Sequence, residues 1–179
     1  MSAAIVAFTG ISGVGKTTFL RRLAERVPFQ HLTGGSLIAA ACKARPDERD
    51  ALRYADLNEN QRLLIDGFDL ARDPAAACVI LDAHVVIDSG DGLEELSAEV
   101  FRALGITKMV HLEAEPVRIS ANRSNDTTRQ RPTYDQEILA QHQLASRACA
   151  KSIAAALKID FHVVTHIDVE HLAISLLNA

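Results

Sequence analysis

Cysteine is scarce in this sequence and forms no pattern. Cys42, Cys78 and Cys149 are odd in number, lie far apart and make no Cys-x-x-Cys pair. That spacing excludes a disulfide framework and a zinc knuckle, and suits small buried hydrophobes in a reducing cytosol. Long hydrophobic runs are missing as well. No apolar stretch approaches the roughly 20 residues of a membrane-crossing helix. The N-terminus carries neither a basic segment nor a cleavage site before strand-like sequence begins. A soluble, cytoplasmic protein is expected. Positive charge is not in excess either: 19 Lys and Arg face 23 Asp and Glu, a net charge of −4. This excludes a nucleic-acid partner held by a whole-surface basic field and leaves only a local patch. There is no internal repeat, low-complexity tract or interdomain linker. What is present is 179 residues, 48% of them hydrophobic, which predicts a single globular domain over 1–179.

The apolar stretches are short. Ala3-Ala4-Ile5-Val6-Ala7-Phe8 ends close to a glycine and predicts a buried strand of the parallel-sheet kind. Cys78-Val79-Ile80-Leu81, Met109-Val110-His111-Leu112 and Phe161-His162-Val163-Val164 repeat that signature, and His31-Leu32-Thr33 is a shorter candidate. Helical patterns separate them. Residues 16–27 place Phe19, Leu20, Leu23 and Val27 on one side, with Pro28 just beyond. Residues 50–71 read as two helical pieces, and 93–104 as one helix ended by Gly105. Residues 133–157 form a long helix whose core stripe is predicted to run through Ile138, Ala145, Cys149 and Ala156. A closing helix over 168–177 would be capped by Asp168. Residues 118–132 are the one extended polar stretch and read as a helix end followed by a loop. Strands alternating with helices predict an α/β fold with a parallel sheet covered on both faces.

Between the first strand and first helix lies Gly10-Ile11-Ser12-Gly13-Val14-Gly15-Lys16-Thr17, which fits the GxxxxGK[ST] phosphate-loop pattern. Its glycines allow successive N–H groups to face one anion, and the following helix adds its positive end. Lys16 would reach the β- and γ-phosphates, and the Thr17 hydroxyl would ligate Mg²⁺. Gly10, Gly13, Val14, Gly15, Lys16, Thr17 and Thr18 are therefore the candidate nucleotide-binding residues.

Val79-Ile80-Leu81-Asp82 supplies a second part, an apolar strand ending in a carboxylate that can stand beside the metal held by Thr17. Asp82 alone is also an ordinary strand-end residue. His84, two residues on, projects to the same side and would orient Asp82, touch a phosphate, or serve as a structural histidine. The third part is Arg118, Arg123, Arg129 and Arg131, with Asp126 the acid among them. These arginines are either a solvated loop or a lid whose guanidiniums close over the transferring phosphoryl group, Arg123 and Arg129 leading.

Taken together these residues resemble nucleoside monophosphate kinases, and among them the short archaeal-type adenylate kinases. Four blocks carry the resemblance: Phe8 to the Thr17-Thr18 pair, Leu32-Thr33-Gly34-Gly35-Ser36-Leu37-Ile38, Glu48-Arg49-Asp50-Ala51-Leu52-Arg53 on through Asn60-Gln61 to Asp82-Ala83-His84, and Leu112-Glu113-Ala114-Glu115-Pro116 on through the arginines to Gln141-His142-Gln143, Ala145, Arg147 and Ala148. The resemblance implies a three-layer phosphate-loop NTPase fold with about five parallel strands. It also implies a monophosphate-binding insertion near 33–72 and a short lid near 118–133. The implied activity is transfer of the ATP γ-phosphoryl group to a nucleoside monophosphate with Mg²⁺. Lys16, Asp82, Arg123 and Arg129 would be catalytic, Thr17 and Asp82 would hold the metal, and Ser36, Arg53 and His84 would face the acceptor. A homo-oligomer is compatible with the resemblance.

The sequence departs from the longer bacterial enzymes after the third long strand, where a Gly-Tyr/Phe-Pro-Arg segment is replaced by Ala83-His84-Val85-Val86. The acceptor's base is thus left open. Two other readings share the phosphate loop: an ATP-driven switch or assembly factor, and a kinase for another small metabolite. The second-substrate pocket around Ser36, Arg53 and Gln61 separates them, with Arg53 either clamping a phosphate or pairing with Asp50 or Asp56 on the surface. His162, His166 and His171 match no ligand spacing for a metal site.

Overall fold

A computed structural model describes residues 3–42, 57–89, 92–126 and 134–177. In chain order the elements are β1 (Ala4–Thr9), α1 (Lys16–Ala24), β2 (Gln30–Thr33), α2 (Gly34–Cys42), α3 (Leu57–Ala71), β3 (Cys78–Asp82), β4 (Val86–Asp88), β5 (Leu93–Glu95), α4 (Ala98–Ala103), β6 (Lys108–Leu112), α5 (Pro116–Asn125), α6 (Gln136–Leu157), β7 (Asp160–Val164) and α7 (Val169–Leu177).

Five of the strands form one sheet in the order β2-β3-β1-β6-β7, every neighbouring pair parallel. β1 is central, and residues 5–9 are buried because side chains on both of its faces meet helices. Val6, Phe8, Ile80, Val110 and Leu112 pack on one face with Phe19, Leu20 and Leu23 of α1 and Leu172 and Leu176 of α7. Ile5, Ala7, Val79, Leu81 and Met109 pack on the other with Leu37 of α2, Phe68 of α3, Phe101 of α4 and Ile153 of α6. The three-layer arrangement with five parallel strands is as the sequence predicts.

The chain leaves β1 toward the α1 face and leaves β3 toward the α4 face. Neighbouring strands whose connections part in this way open a crevice at their C-terminal ends. The site lies there.

Three local expectations need correction. The helix expected over 93–104 is a strand and a short helix: β5 pairs antiparallel with β4, and α4 starts only after Ser97, whose hydroxyl accepts the Glu99 N–H at 3.2 Å. Gly92, at φ 144°, and the Ser89 N–H on the Gly92 carbonyl close a hairpin that breaks the helical pattern. The buried face of α6 runs through Leu139, Ser146, Cys149, Ala150 and Ile153, while Ala156 is exposed. In so alanine-rich a helix the apolar periodicity is nearly flat, so a face rotated by one residue fits it equally well. Asp168 does precede α7, and its carbonyl accepts the Leu172 N–H. Its carboxylate turns back, however, to accept from the Thr165 N–H at 2.7 Å and hydroxyl at 2.8 Å. These bonds hold its carboxyl below the usual carboxylate range. The polar stretch from residue 118 does open in a helix, the ten-residue α5 with Pro116 in its first turn, and residues 127–132 of it lie outside the described residues.

Candidate phosphate-transfer site

The loop between β1 and α1 takes its shape from Gly10, Gly13 and Gly15, at φ 145°, 88° and 105°. Close approach restricts two of them further. A Cβ on Gly10 would lie 2.8 Å from the Leu112 carbonyl oxygen, and one on Gly13 would lie 2.7 Å from Cγ of Arg123. Ile11 and Val14 are buried and anchor the loop, and the Val14 N–H closes on the Ile11 carbonyl at 3.2 Å. α1 opens directly at Lys16, with no side-chain cap and no acidic residue in its first turn. Its leading N–H groups therefore keep their affinity for an anion.

Lys16 is 8% exposed, costly for an ammonium without partners. Its Nζ donates to the Gly10 carbonyl at 2.9 Å and stands 3.6 Å from Oδ1 of Asp82. Asp82 reaches it because Phe8 and Asp82 are register partners in the β1–β3 pair. Nε2 of His31 lies 4.0 Å from the other Asp82 oxygen. His84 does not turn to Asp82: its Nδ1 is 3.1 Å from the Gly10 carbonyl, an acceptor, so Nδ1 carries the proton. One carbonyl of the phosphate loop thus receives both Lys16 and His84. Thr17 and Thr18 are exposed in the first turn of α1.

On the neighbouring strand Thr33 pairs with Asp82, which brings the start of α2 to the same sheet edge. Ser36 sits there in a local ring of bonds. Thr33 Oγ1 accepts the Ser36 N–H at 3.2 Å and donates to its Oγ at 2.7 Å, and Ser36 Oγ donates to the Thr33 carbonyl at 2.9 Å. Across the loop, α5 brings two donors to it. Asn122 Nδ2 donates to the Gly13 carbonyl at 2.8 Å, and Arg123 Nε donates to the Ser12 carbonyl at 2.8 Å. The Arg123 guanidinium also lies over the Tyr134 ring, 5.8 Å from its centroid. Lys16, Asp82, His84 and Arg123 are thereby gathered on one loop. Arg53, Arg129 and Arg131 lie outside the described residues.

Sequence reasoning missed Asn122, Tyr134 and the support beneath the loop. His111 is fully buried on β6, with Nδ1 2.9 Å from the hydroxyl of Thr9, the residue that leads into Gly10. Burial, then the nearby Lys16 and Arg147 charges, pushes its pKa down to about 4. Arg147 in turn pairs with Glu113, its Nε 3.3 Å from Oε1. Asn122 and Tyr134 carry no periodic or motif signal, and only their place next to Arg123 marks them; His111, Glu113 and Arg147 stand in the predicted strand and the fourth block of the resemblance, where no supporting role was assigned to them.

The family described as AAA domain matches residues 9–140. The adenylate kinase of Thermoplasma volcanium is 31% identical over 159 residues, covering 84% of this chain and 86% of that protein. The chain belongs to the AAA domain family and to the adenylate kinase family. The adenylate kinase of Thermoplasma acidophilum is 28% identical over 167 residues, covering 88% of this chain and 87% of that protein. Among solved structures, shikimate kinase from Bacteroides thetaiotaomicron has a TM-score of 0.59 at 16% identity, covering 98% of this chain and 97% of that one. That likeness concerns the fold. Family membership makes the chain a kinase of the adenylate kinase type. No described helix is long and apolar enough to cross a membrane.

The donors present suit Mg²⁺. They are hard oxygens, the Thr17 hydroxyl at the start of α1 and the Asp82 carboxylate, whose present cationic neighbour is Lys16. Among the described residues no group of three or more His, Cys, Asp or Glu side chains could hold a metal ion. A Mg²⁺ here would complete its shell with phosphate oxygens and water, as it ordinarily does.

Proposed function

We propose that this chain moves the γ-phosphoryl group of ATP to a nucleoside monophosphate in the crevice between β1 and β3, with AMP the first acceptor to test. It acts as a cytoplasmic enzyme, alone or as a homo-oligomer. The observation that supports this reading most is Lys16, a buried ammonium held between the Gly10 carbonyl and Asp82 at the mouth of a glycine-shaped anion cradle.

Phosphoryl transfer needs positioning and charge neutralisation more than proton chemistry. The N–H groups of residues 13–18 would bind the β-phosphate, and Lys16 would move from Asp82 onto the β- and γ-phosphates. Thr17 and Asp82 would hold Mg²⁺, which supplies neutralisation of charge between the two phosphates. Asp82 and Lys16 neutralise each other before ATP arrives, so neither is left as an isolated buried charge. His84 holds the Gly10 carbonyl turned away from the anion. Arg123 and Arg129 would spread over the transferring group. Residues 33–72 would take the acceptor, with Ser36 and Arg53 on its phosphate, and residues 118–133 would cover the site.

The test is coupled ADP production with MgATP and AMP, CMP, GMP, UMP and dTMP in turn. At least one should raise turnover far above basal hydrolysis. If none does, the switch reading takes the place of the kinase. Arg129→Ala should reduce kcat much more than it raises the nucleotide Kd.

A further inference from the structure

Two consecutive residues of α6, His142 and Gln143, contact the chain on either side of α5. Gln143 clamps the backbone of Ala114 in both directions: its Oε1 accepts the Ala114 N–H at 3.0 Å, and its Nε2 donates to the Ala114 carbonyl at 3.0 Å. Ala114 lies two residues before Pro116, the first residue of α5. A planar amide bonded at both ends has little freedom to rotate, so Gln143 sets the direction in which the chain leaves β6 for α5.

His142 stands edge-on to the Tyr134 ring, with centroids 4.9 Å apart and planes at 73°. That ring is the surface on which the Arg123 guanidinium lies, and the Tyr134 hydroxyl donates to Oδ2 of Asp88 at 2.7 Å. Two routes from α6 therefore converge on one side chain. Gln143 acts along α5 from its root, and His142 acts through the aromatic ring beneath the guanidinium. At their meeting point Arg123 bonds the Ser12 carbonyl, and Asn122 beside it bonds Gly13. The fit is close, since a Cβ on Gly13 would run into Arg123.

We propose that His142 and Gln143 are positioning residues that fix Arg123 against the phosphate loop, and so set the affinity of that loop for MgATP. The proposal rests on the assignment of Arg123 to the ATP side of the site. An ångström of misplacement at such a contact is enough to lose rate and affinity. Neither residue touches nucleotide; both work through Arg123.

A mutant cycle on the full chain, read as MgATP affinity by calorimetry with a thermal midpoint for each variant, tests it. Gln143→Ala and Arg123→Ala should each weaken binding about fivefold, the scale of one lost hydrogen bond. The double variant should be no weaker than about fivefold, because both changes remove the same contact. Gln143→Glu retains an acceptor for the Ala114 N–H and loses the donor to its carbonyl, so it should fall between. His142→Phe should restore the edge-to-face contact that His142→Ala removes, and the affinity with it. Losses that multiply to about 25-fold in the double variant would overturn the proposal. So would affinities that follow the thermal midpoints rather than the state of Arg123, or equal losses in His142→Phe and His142→Ala. Binding of MgATP requires no acceptor. A chain that binds ATP and phosphorylates no monophosphate would defeat the proposed function and still leave this cycle readable.

Discussion

The two rims of the crevice are built differently. On the rim proposed for ATP the groups offered to the ligand would be backbone N–H donors. Ile11 and Val14 pull the loop into the core, and Lys16, His84, Asn122 and Arg123 hold its carbonyls at Gly10, Ser12 and Gly13. On the rim proposed for the acceptor, helix packing supplies the support. α2 and α3 cross so closely that a Cβ on Gly67 would lie 2.1 Å from the Leu37 carbonyl oxygen, and the Ser36 hydroxyl is already bonded to Thr33. A polyphosphate can be bound by peptide groups that any sequence possesses, given the right glycines. A nucleoside must be read by side chains mounted on packed helices. The first rim should therefore fail through lost chemistry and the second through lost packing.

Lys16→Ala should show the largest effect, a fall in turnover of about 10³-fold with an unchanged circular dichroism spectrum; surviving activity in a folded variant would take the ATP rim out of the mechanism. Gly67→Ala attacks the other rim. Forcing a methyl against the Leu37 backbone should cost about 2–3 kcal/mol in urea unfolding, and raise the acceptor KM with little change in ATP affinity. Equal losses of both affinities would erase the distinction between the rims.

His111 lies under the ATP rim and gives a smaller effect that depends on pH. Its pKa is lowered from 6.5 to about 4 in the folded chain. Between those values the unfolded state binds the extra proton, so stability falls as pH drops through that window. The fall should be about 2 kcal/mol between pH 7 and pH 5 in denaturant titrations, and His111→Gln should remove that component; an unaltered acid limb would mean that another group titrates. Smallest is the first turn of α2. Thr33→Ala should cost about 1 kcal/mol of stability as a lost cap, whereas Ser36→Ala should spare stability and act on the acceptor KM. The reverse pattern would make Ser36 a cap residue only.

The same contrast explains what could be read from the sequence. The buried strands announce themselves as short apolar runs because parallel strands have two covered faces. The cradle is legible because its glycines, Lys16 and Thr17 are contiguous. Asp82 is legible through its strand. The β4–β5 hairpin was hidden by strands of three residues each with mixed side chains, and the face of α6 by the uniformity of alanine. Asn122 and Tyr134 are neutral and follow no period, and Gln143 is visible only as part of the fourth block of the resemblance, which assigns it no role. A count of charges finds Arg123 but passes over the residues that place it.

The central claim, that Lys16 and Asp82 sit where a phosphoryl group is transferred and not merely hydrolysed, is tested most directly with ATP labelled in its γ-phosphate. Incubated with the chain, Mg²⁺ and the preferred monophosphate, the label should appear in the nucleoside diphosphate, and Lys16→Ala should abolish its release from ATP. Label recovered as inorganic phosphate with every monophosphate would contradict it.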